Sequence, residues 1–243
     1  MAIKGWGGKA ARGLALTGLV AGTAFAFGAP GASASSHHAG EVIAHRGGYD
    51  TAPESTIAAI AHSIRAGADG VEFDIRFTKD DVPVLMHDDT VDRTTNCHGY
   101  VYQLTYRQLE RCDAGKWFSG RYRGERVPSF DTAMRYISTH SRTLQVFVHV
   151  KDNQMGEARE LVSTITRHHM DNDRTTIIGS EEAVLRTMRA AGAGRVGYVF
   201  NNSRGWDTDW PVLIPYNTAV SRDDVAEAEH RGQEVFAVQD HPA

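Results

Sequence analysis

The sequence predicts one parallel α/β domain, a (β/α)8 TIM barrel with its eighth strand missing or cut short, and three observations carry that expectation. From Glu41 onward, apolar runs of strand length alternate with longer segments whose apolar residues recur at helical spacing. Strands separated in this way need crossover connections, so they pair in parallel. Polar residues with chemical potential gather just after the strands, where parallel α/β folds build their sites. Seven main strands can be counted, one fewer than a closed barrel needs. An open doubly wound sheet is the competing architecture, but no Gly-rich dinucleotide loop follows the first strand.

Residues 41–44 form a short strand that runs into His45-Arg46-Gly47-Gly48. Residues 55–66 are helical, with Ile57, Ile60, Ala61 and Ile64 on one face and Ser55 or Thr56 as the cap. Gly67-Ala68-Asp69-Gly70 ends that helix, and residues 71–77 make the second strand. Thr78-Lys79-Asp80-Asp81 turns the chain back into a short arm over residues 83–86. Residues 89–128 are irregular, with one short helix near 106–111, and read as a long functional loop. Helices over 130–139, 157–169, 181–191 and 223–230 then alternate with strands over 144–150, 175–178, 196–200, 212–215 and 234–238.

The N-terminus reads as a secretory signal. Lys4, Lys9 and Arg12 supply positive charge, residues 14–27 are apolar but short for a membrane span, and Ala32-Ser33-Ala34 offers a cleavage site after Ala34. No Cys follows the apolar run and Arg12 has no neighbouring Arg, which argues against a lipoprotein or a twin-arginine signal. An uncleaved anchor is the alternative. The expected organisation is therefore a signal over 1–34 and one domain over 35–243, secreted and without stable membrane insertion after cleavage. Removing 1–34 takes three basic and no acidic residues, so Lys+Arg falls from 26 to 23 against 30 Asp+Glu and the net charge moves from −4 to −7. That balance argues against bulk nucleic-acid binding, which needs basic surface. Cys97 and Cys112 in an exported chain fit one disulfide, worth roughly 3 kcal/mol by chain entropy for a loop of this size.

Glu72 and Asp74 sit at i and i+2 on the second strand, so both point to one face. Val71, Phe73 and Ile75 surround them, and two buried carboxylates are costly without partners. A divalent cation would compensate them, and oxygen ligands suit Mg²⁺ or Ca²⁺. The returning arm brings His87-Asp88 back toward them. Imidazoles can serve as nucleophile, general base or general acid, and Arg46 can grip phosphate oxygens bidentately.

In order along the chain, His45-Arg46-Gly47-Gly48, Pro53-Glu54-Ser55-Thr56, Gly67 through Asp74, Thr78-Lys79-Asp80-Asp81, His87-Asp88, Arg93-Thr94-Thr95 with Gly99, and Val127-Pro128-Ser129-Phe130 resemble the glycerophosphodiester phosphodiesterase family. The resemblance covers residues 42–151 well and fades beyond. It implies a (β/α)8 barrel that hydrolyses glycerophosphodiesters, small or phospholipid-derived, to glycerol 3-phosphate and an alcohol. It implies His45 and His87 as the catalytic pair, Glu72 and Asp74 as metal ligands, and Arg46 and Lys151 as phosphate contacts. Glu54 and Asp88 would support that set from behind.

Two departures stand out. The family pattern places Glu-x-Lys on the next strand, whereas this chain reads His149-Val150-Lys151. His149 is either a ligand that alters the metal preference or a structural residue beside a weaker site. The chain also ends at Ala243, short of the family's last strand. Rival readings are a phospholipase D-like enzyme that forms a cyclic phosphate and an inactive secreted binding module. His37-His38 reads as tail, His168-His169 as a helix end, and Trp117-Phe118 as substrate mouth or simple packing.

Overall fold

The structure, a computed structural model, describes residues 41–151, 158–171 and 173–238. The expected signal over 1–34, its cleavage after Ala34, the His37-His38 pair and the last five residues lie outside them. The chain runs β1 (Ile43–Ala44), α1 (Ile57–Ala66), β2 (Gly70–Phe77), β3 (Pro83–Leu85), α2 (Tyr106–Leu109), α3 (Phe130–His140), β4 (Gln145–Val150), α4 (Ala158–Arg167), β5 (Thr175–Gly179), α5 (Glu182–Ala190), β6 (Val196–Phe200), β7 (Val212–Pro215), α6 (Arg222–His230) and β8 (Glu234–Val235). The sheet order is β1-β2-β4-β5-β6-β7-β8, all parallel, with β3 antiparallel on β2.

Local chemistry explains the element ends. Thr56, not Ser55, caps α1, its side chain accepting from the Ala59 N–H, and Gly67 closes the helix at φ 78°. Ser129 caps α3, and Ser221 with Asp224 forms a capping box on α6. At the hairpin, Thr78 Oγ1 donates to Asp80 at 2.7 Å, and Leu85 returns opposite Ile75.

The strands alternate between two faces. Val146, Val148 and Val150 of β4, with Val71, Phe73 and Ile75 of β2, pack in the larger core with helix residues such as Ile60, Met134 and Leu161. Phe147 points the other way, into a second cluster with Ile178, Val199, Val212 and Ile214, where Ile43 and Phe236 also pack. This inner cluster shows that the sheet curls. On a flat sheet the five steps from β1 to β7 would span roughly 24 Å. Instead the ring of His45, just after β1, lies 6.4 Å from that of Tyr216, just after β7, and Phe147 meets Phe236 at 4.8 Å. The interior is tight enough to demand glycine at two strand positions. A Cβ on Gly70 would come within 2.7 Å of Ile43, and one on Gly197 within 3.0 Å of Val212. The architecture is a curled, barrel-type parallel sheet. Among the described residues no ladder joins β8 to β1.

Residues 89–128 are more ordered than the expected irregular loop. Val84, Met86, Val91, Val101, Leu109, Ala114 and Val127 form a core of their own. The Cys97–Cys112 disulfide ties this excursion, with Cα atoms 5.7 Å apart. No described helix is long and apolar enough to cross a membrane.

Candidate active site

The site starts with a backbone forced into an uncommon shape. Directly after β1, Arg46, Gly47 and Gly48 all take positive φ (50°, 78° and 109°). This turns the chain so that the Arg46 N–H donates to Glu72 Oε2 at 3.0 Å, and the Gly47 carbonyl accepts from Ser63 of α1 at 2.7 Å. A side chain at Gly48 would collide with Ser63 Oγ at 2.6 Å. His45 is thereby buried, with Nε2 3.7 Å from Glu72 Oε2 and its ring edge-on to Tyr49.

Glu72 and Asp74 lie together on the inner face of β2, nearly inaccessible to solvent. The β2–β4 register sets Asp74 beside His149. His149 Nδ1 is 3.3 Å from Asp74 Oδ1 and 4.0 Å from Glu72 Oε1, and Lys151 Nζ is 3.1 Å from Asp74 Oδ1. Burial and the neighbouring Asp74 charge push the Glu72 carboxyl up to about 8, against weaker help from the Arg46 N–H and Lys151. Burial would also raise Asp74, but the His149 hydrogen bond and the Lys151 charge outweigh it and hold the carboxyl well below the usual range. Burial lowers His149 against the opposing pull of the Asp74 hydrogen bond, and so favours the neutral imidazole.

These residues fit a metal ion. One ligand atom each from Glu72, Asp74 and His149 lies within 4.8 Å of the others. Asp74 Oδ2 is buried with no hydrogen-bond partner, a costly state for a charged oxygen that a cation would relieve.

His87 follows β3 and is anchored through its backbone, whose carbonyl accepts from Arg76 Nε at 3.0 Å. Its Nδ1 lies 2.7 Å from Asp88 Oδ1. Arg93 hydrogen bonds hold Asp88 well below the usual carboxylate range, so the ionised carboxylate accepts from Nδ1–H and leaves Nε2 as the other working nitrogen. Arg93 also forks onto Glu54 at 2.7 and 2.8 Å, and Glu54 contacts Arg46 at 3.3 Å. The two histidine turns are thus linked by one chain of charges, His87–Asp88–Arg93–Glu54–Arg46. Replacing Arg93 by alanine leaves the buried Glu54 short of a partner. The expected cost is about 1–3 kcal/mol, read as a lower urea midpoint with an unchanged slope.

All the residues expected from the sequence come to this end of the sheet: His45, Arg46, Glu72, Asp74, His149 and Lys151 directly, His87 through the returning arm, and Glu54 and Asp88 behind them. Arg76 is a further functional residue that the sequence reading does not single out: its i+2 spacing from Asp74 puts it on the same face, and it buttresses the His87 backbone. Arg93 stands in the Arg93-Thr94-Thr95 motif, where nothing in the sequence announces its fork onto Glu54. Trp117 packs edge-on against Phe118, and Tyr122 donates to the Thr51 carbonyl at 3.1 Å, so this segment leans on the loop after His45. His168 belongs elsewhere, bonded to Asp131 at 2.9 Å.

Fold and site together define a TIM-barrel-type α/β protein with a carboxylate–imidazole site at the C-terminal ends of its strands. Residues 45–200 match the model of the glycerophosphoryl diester phosphodiesterase family, and the chain belongs to that family. The chain is 48% identical over 151 residues to a glycerophosphodiester phosphodiesterase of Caldanaerobacter subterraneus subsp. tengcongensis, a match covering 61% of each. It is 39% identical over 131 residues to human glycerophosphodiester phosphodiesterase 1, covering 53% of this chain and 38% of the relative. The matched stretches are thus less than two thirds of either relative's length. An Oleispira antarctica phosphodiesterase, solved in complex with the product sn-glycerol-3-phosphate, superposes with a TM-score of 0.74 at 25% identity over 82% of this chain and 84% of that one. A glycerophosphodiester phosphodiesterase from Agrobacterium tumefaciens shares the fold with a TM-score of 0.71.

Proposed function

We propose that this chain is an exported, metal-dependent phosphodiesterase that hydrolyses glycerophosphodiesters to glycerol 3-phosphate and an alcohol. The observation that carries the reading is the buried Glu72–Asp74 pair, with one unpartnered Asp74 oxygen, beside His45. Membership of the family and the product-bound Oleispira antarctica relative support the substrate class.

Glu72 and Asp74 would hold a divalent cation, for which two carboxylates alone suit Mg²⁺ or Ca²⁺. Such an ion supplies charge neutralisation at the phosphoryl oxygens. Arg46 and Lys151 supply further positive charge to the phosphate. Of His45 and His87, one takes a proton from the water whose oxygen bonds to phosphorus, and the other delivers a proton to the leaving alcohol oxygen as its P–O bond breaks. His87, oriented by Asp88, is built to shuttle a proton through Nε2. Phosphorus NMR of the products from glycerophosphocholine with added divalent cation tests the reading. An open glycerol 3-phosphate signal is expected. A cyclic phosphate as final product would favour the phospholipase D-like course, and no turnover by folded, metal-supplied protein would sink both. Export is tested separately by finding mature protein beginning at Ser35 in the culture medium.

Glu72 also gives this reading a pH signature. With its folded carboxyl near 8, the metal-free site holds a proton on Glu72 at pH 7 that a cation must displace. Calorimetry in buffers of different ionisation enthalpy should show about one proton released per ion at pH 7 and close to none above pH 9. The sign for folding follows. A raised carboxyl stabilises the metal-free fold below its unfolded value of 4.5, and that contribution is lost as pH rises toward 8. Saturating metal should flatten this slope.

A further inference from the structure

We infer that Glu72, Asp74 and His149 form a mixed carboxylate–imidazole centre that selects a borderline transition-metal ion, of the Mn²⁺, Fe²⁺, Co²⁺ or Zn²⁺ kind, over Mg²⁺ and Ca²⁺. This rests on the reading that Glu72 and Asp74 hold a cation, and adds that His149 is the donor that decides which.

Three observations carry it. First, His149 is placed by strand register rather than by a loop. It pairs with Asp74 across the β2–β4 ladder, so its ring is fixed on the same inner face as both carboxylates. Second, the ring nitrogen turned toward the acids, Nδ1, stands 3.3 Å from Asp74 Oδ1 and 4.0 Å from Glu72 Oε1, which is the mutual spacing of donors around one ion. Asp74 Oδ2, buried and without a hydrogen-bond partner, completes the set. Third, the donors and charges disfavour a hard cation. Ca²⁺ collects six to eight oxygens and Mg²⁺ keeps near-octahedral oxygen coordination. Here one of three donors is nitrogen, and the Lys151 ammonium sits 3.1 Å from Asp74, opposing any ion held by charge alone. Imidazole nitrogen binds Mn²⁺, Fe²⁺ and Co²⁺ with increasing strength and also suits Zn²⁺, but adds little for Mg²⁺ or Ca²⁺.

The test measures binding as well as turnover. Dissociation constants for Zn²⁺, Mn²⁺, Mg²⁺ and Ca²⁺ are determined by calorimetry on the wild type and on His149→Glu and His149→Gln, with thermal melts to confirm folding. Pulsed electron spin resonance of the Mn²⁺-loaded protein looks for nitrogen coupling from a bound imidazole. The expected result is nitrogen coupling in the wild type that both variants lose. His149→Glu should also shift the ratio of Zn²⁺ to Ca²⁺ affinity toward Ca²⁺ by at least about tenfold, the scale expected for a metal-site substitution. Binding of the ions with no nitrogen coupling, or with a ratio unmoved in His149→Glu, overturns the assignment while leaving Glu72 and Asp74 as ligands. Absence of binding by any of the four ions to the wild type overturns it together with the metal site it rests on.

Discussion

Asp74→Asn is expected to abolish divalent-cation binding and to lower diester turnover by about 10³-fold or more, which corresponds to about 4 kcal/mol of transition-state stabilisation. The size follows from where Asp74 sits. It is buried on β2, it meets His149 and Lys151 through Oδ1, and its Oδ2 has no hydrogen-bond partner. Asparagine keeps the shape but removes the charge that makes the pocket attractive to a cation. Lys151 then adds uncompensated positive charge beside the site. The fold should survive, because the β2 main chain keeps its bonds, including the Met86 N–H donating to the Asp74 carbonyl at 3.0 Å. Calorimetric titration, turnover and a thermal melt on one preparation check all three parts. Retained metal affinity in the folded variant would remove Asp74 from the ligand set.

His45→Ala and His87→Ala should each reduce kcat by about 10²–10⁴-fold, the range for loss of a positioned acid or base, while changing metal affinity only a few-fold. The two are expected to differ in stability. His87 is partly exposed, and Asp88 keeps Arg93 when the imidazole is lost, so His87→Ala should melt near the wild type. His45 is buried between Tyr49 and Tyr216, and its removal leaves a gap costing about 1–3 kcal/mol. A nitrophenyl diester separates their roles, because that leaving group needs no proton. The variant lacking the proton donor should recover most of its rate on it, and the variant lacking the attacking or base group should not. Equal losses on both substrates would mean that neither histidine protonates the leaving oxygen.

Much of this site was legible in the sequence because it depends on short-range rules. The i, i+2 spacing put Glu72 and Asp74 on one face, and apolar runs fixed β6 and β7 with the bounds now seen. The returning arm was readable from the turn residues after β2. What could not be read depends on contacts between distant segments. The excursion over residues 89–128 looked irregular because its core draws single residues from many turns around a disulfide rather than from a periodic face. The left-handed backbone at Arg46 and Ser55 left no signature, since neither residue type favours it. The Lys151 contact with Asp74 and the Arg93 fork onto Glu54 join residues 77 and 39 positions apart, and only the pairing of β2 with β4 and the packing of the loops after β1 and β3 bring them together.

On the proposed reading, a cation bound at Glu72 and Asp74 makes this chain a glycerophosphodiester hydrolase. The most direct test is to strip the wild-type protein with chelator and follow glycerol 3-phosphate release from glycerophosphocholine as a divalent cation is titrated back. The prediction is negligible release from the stripped protein and recovery that saturates at one ion per chain, in step with the binding isotherm. Full activity in the stripped protein, or none in folded protein with the site saturated, would contradict the account.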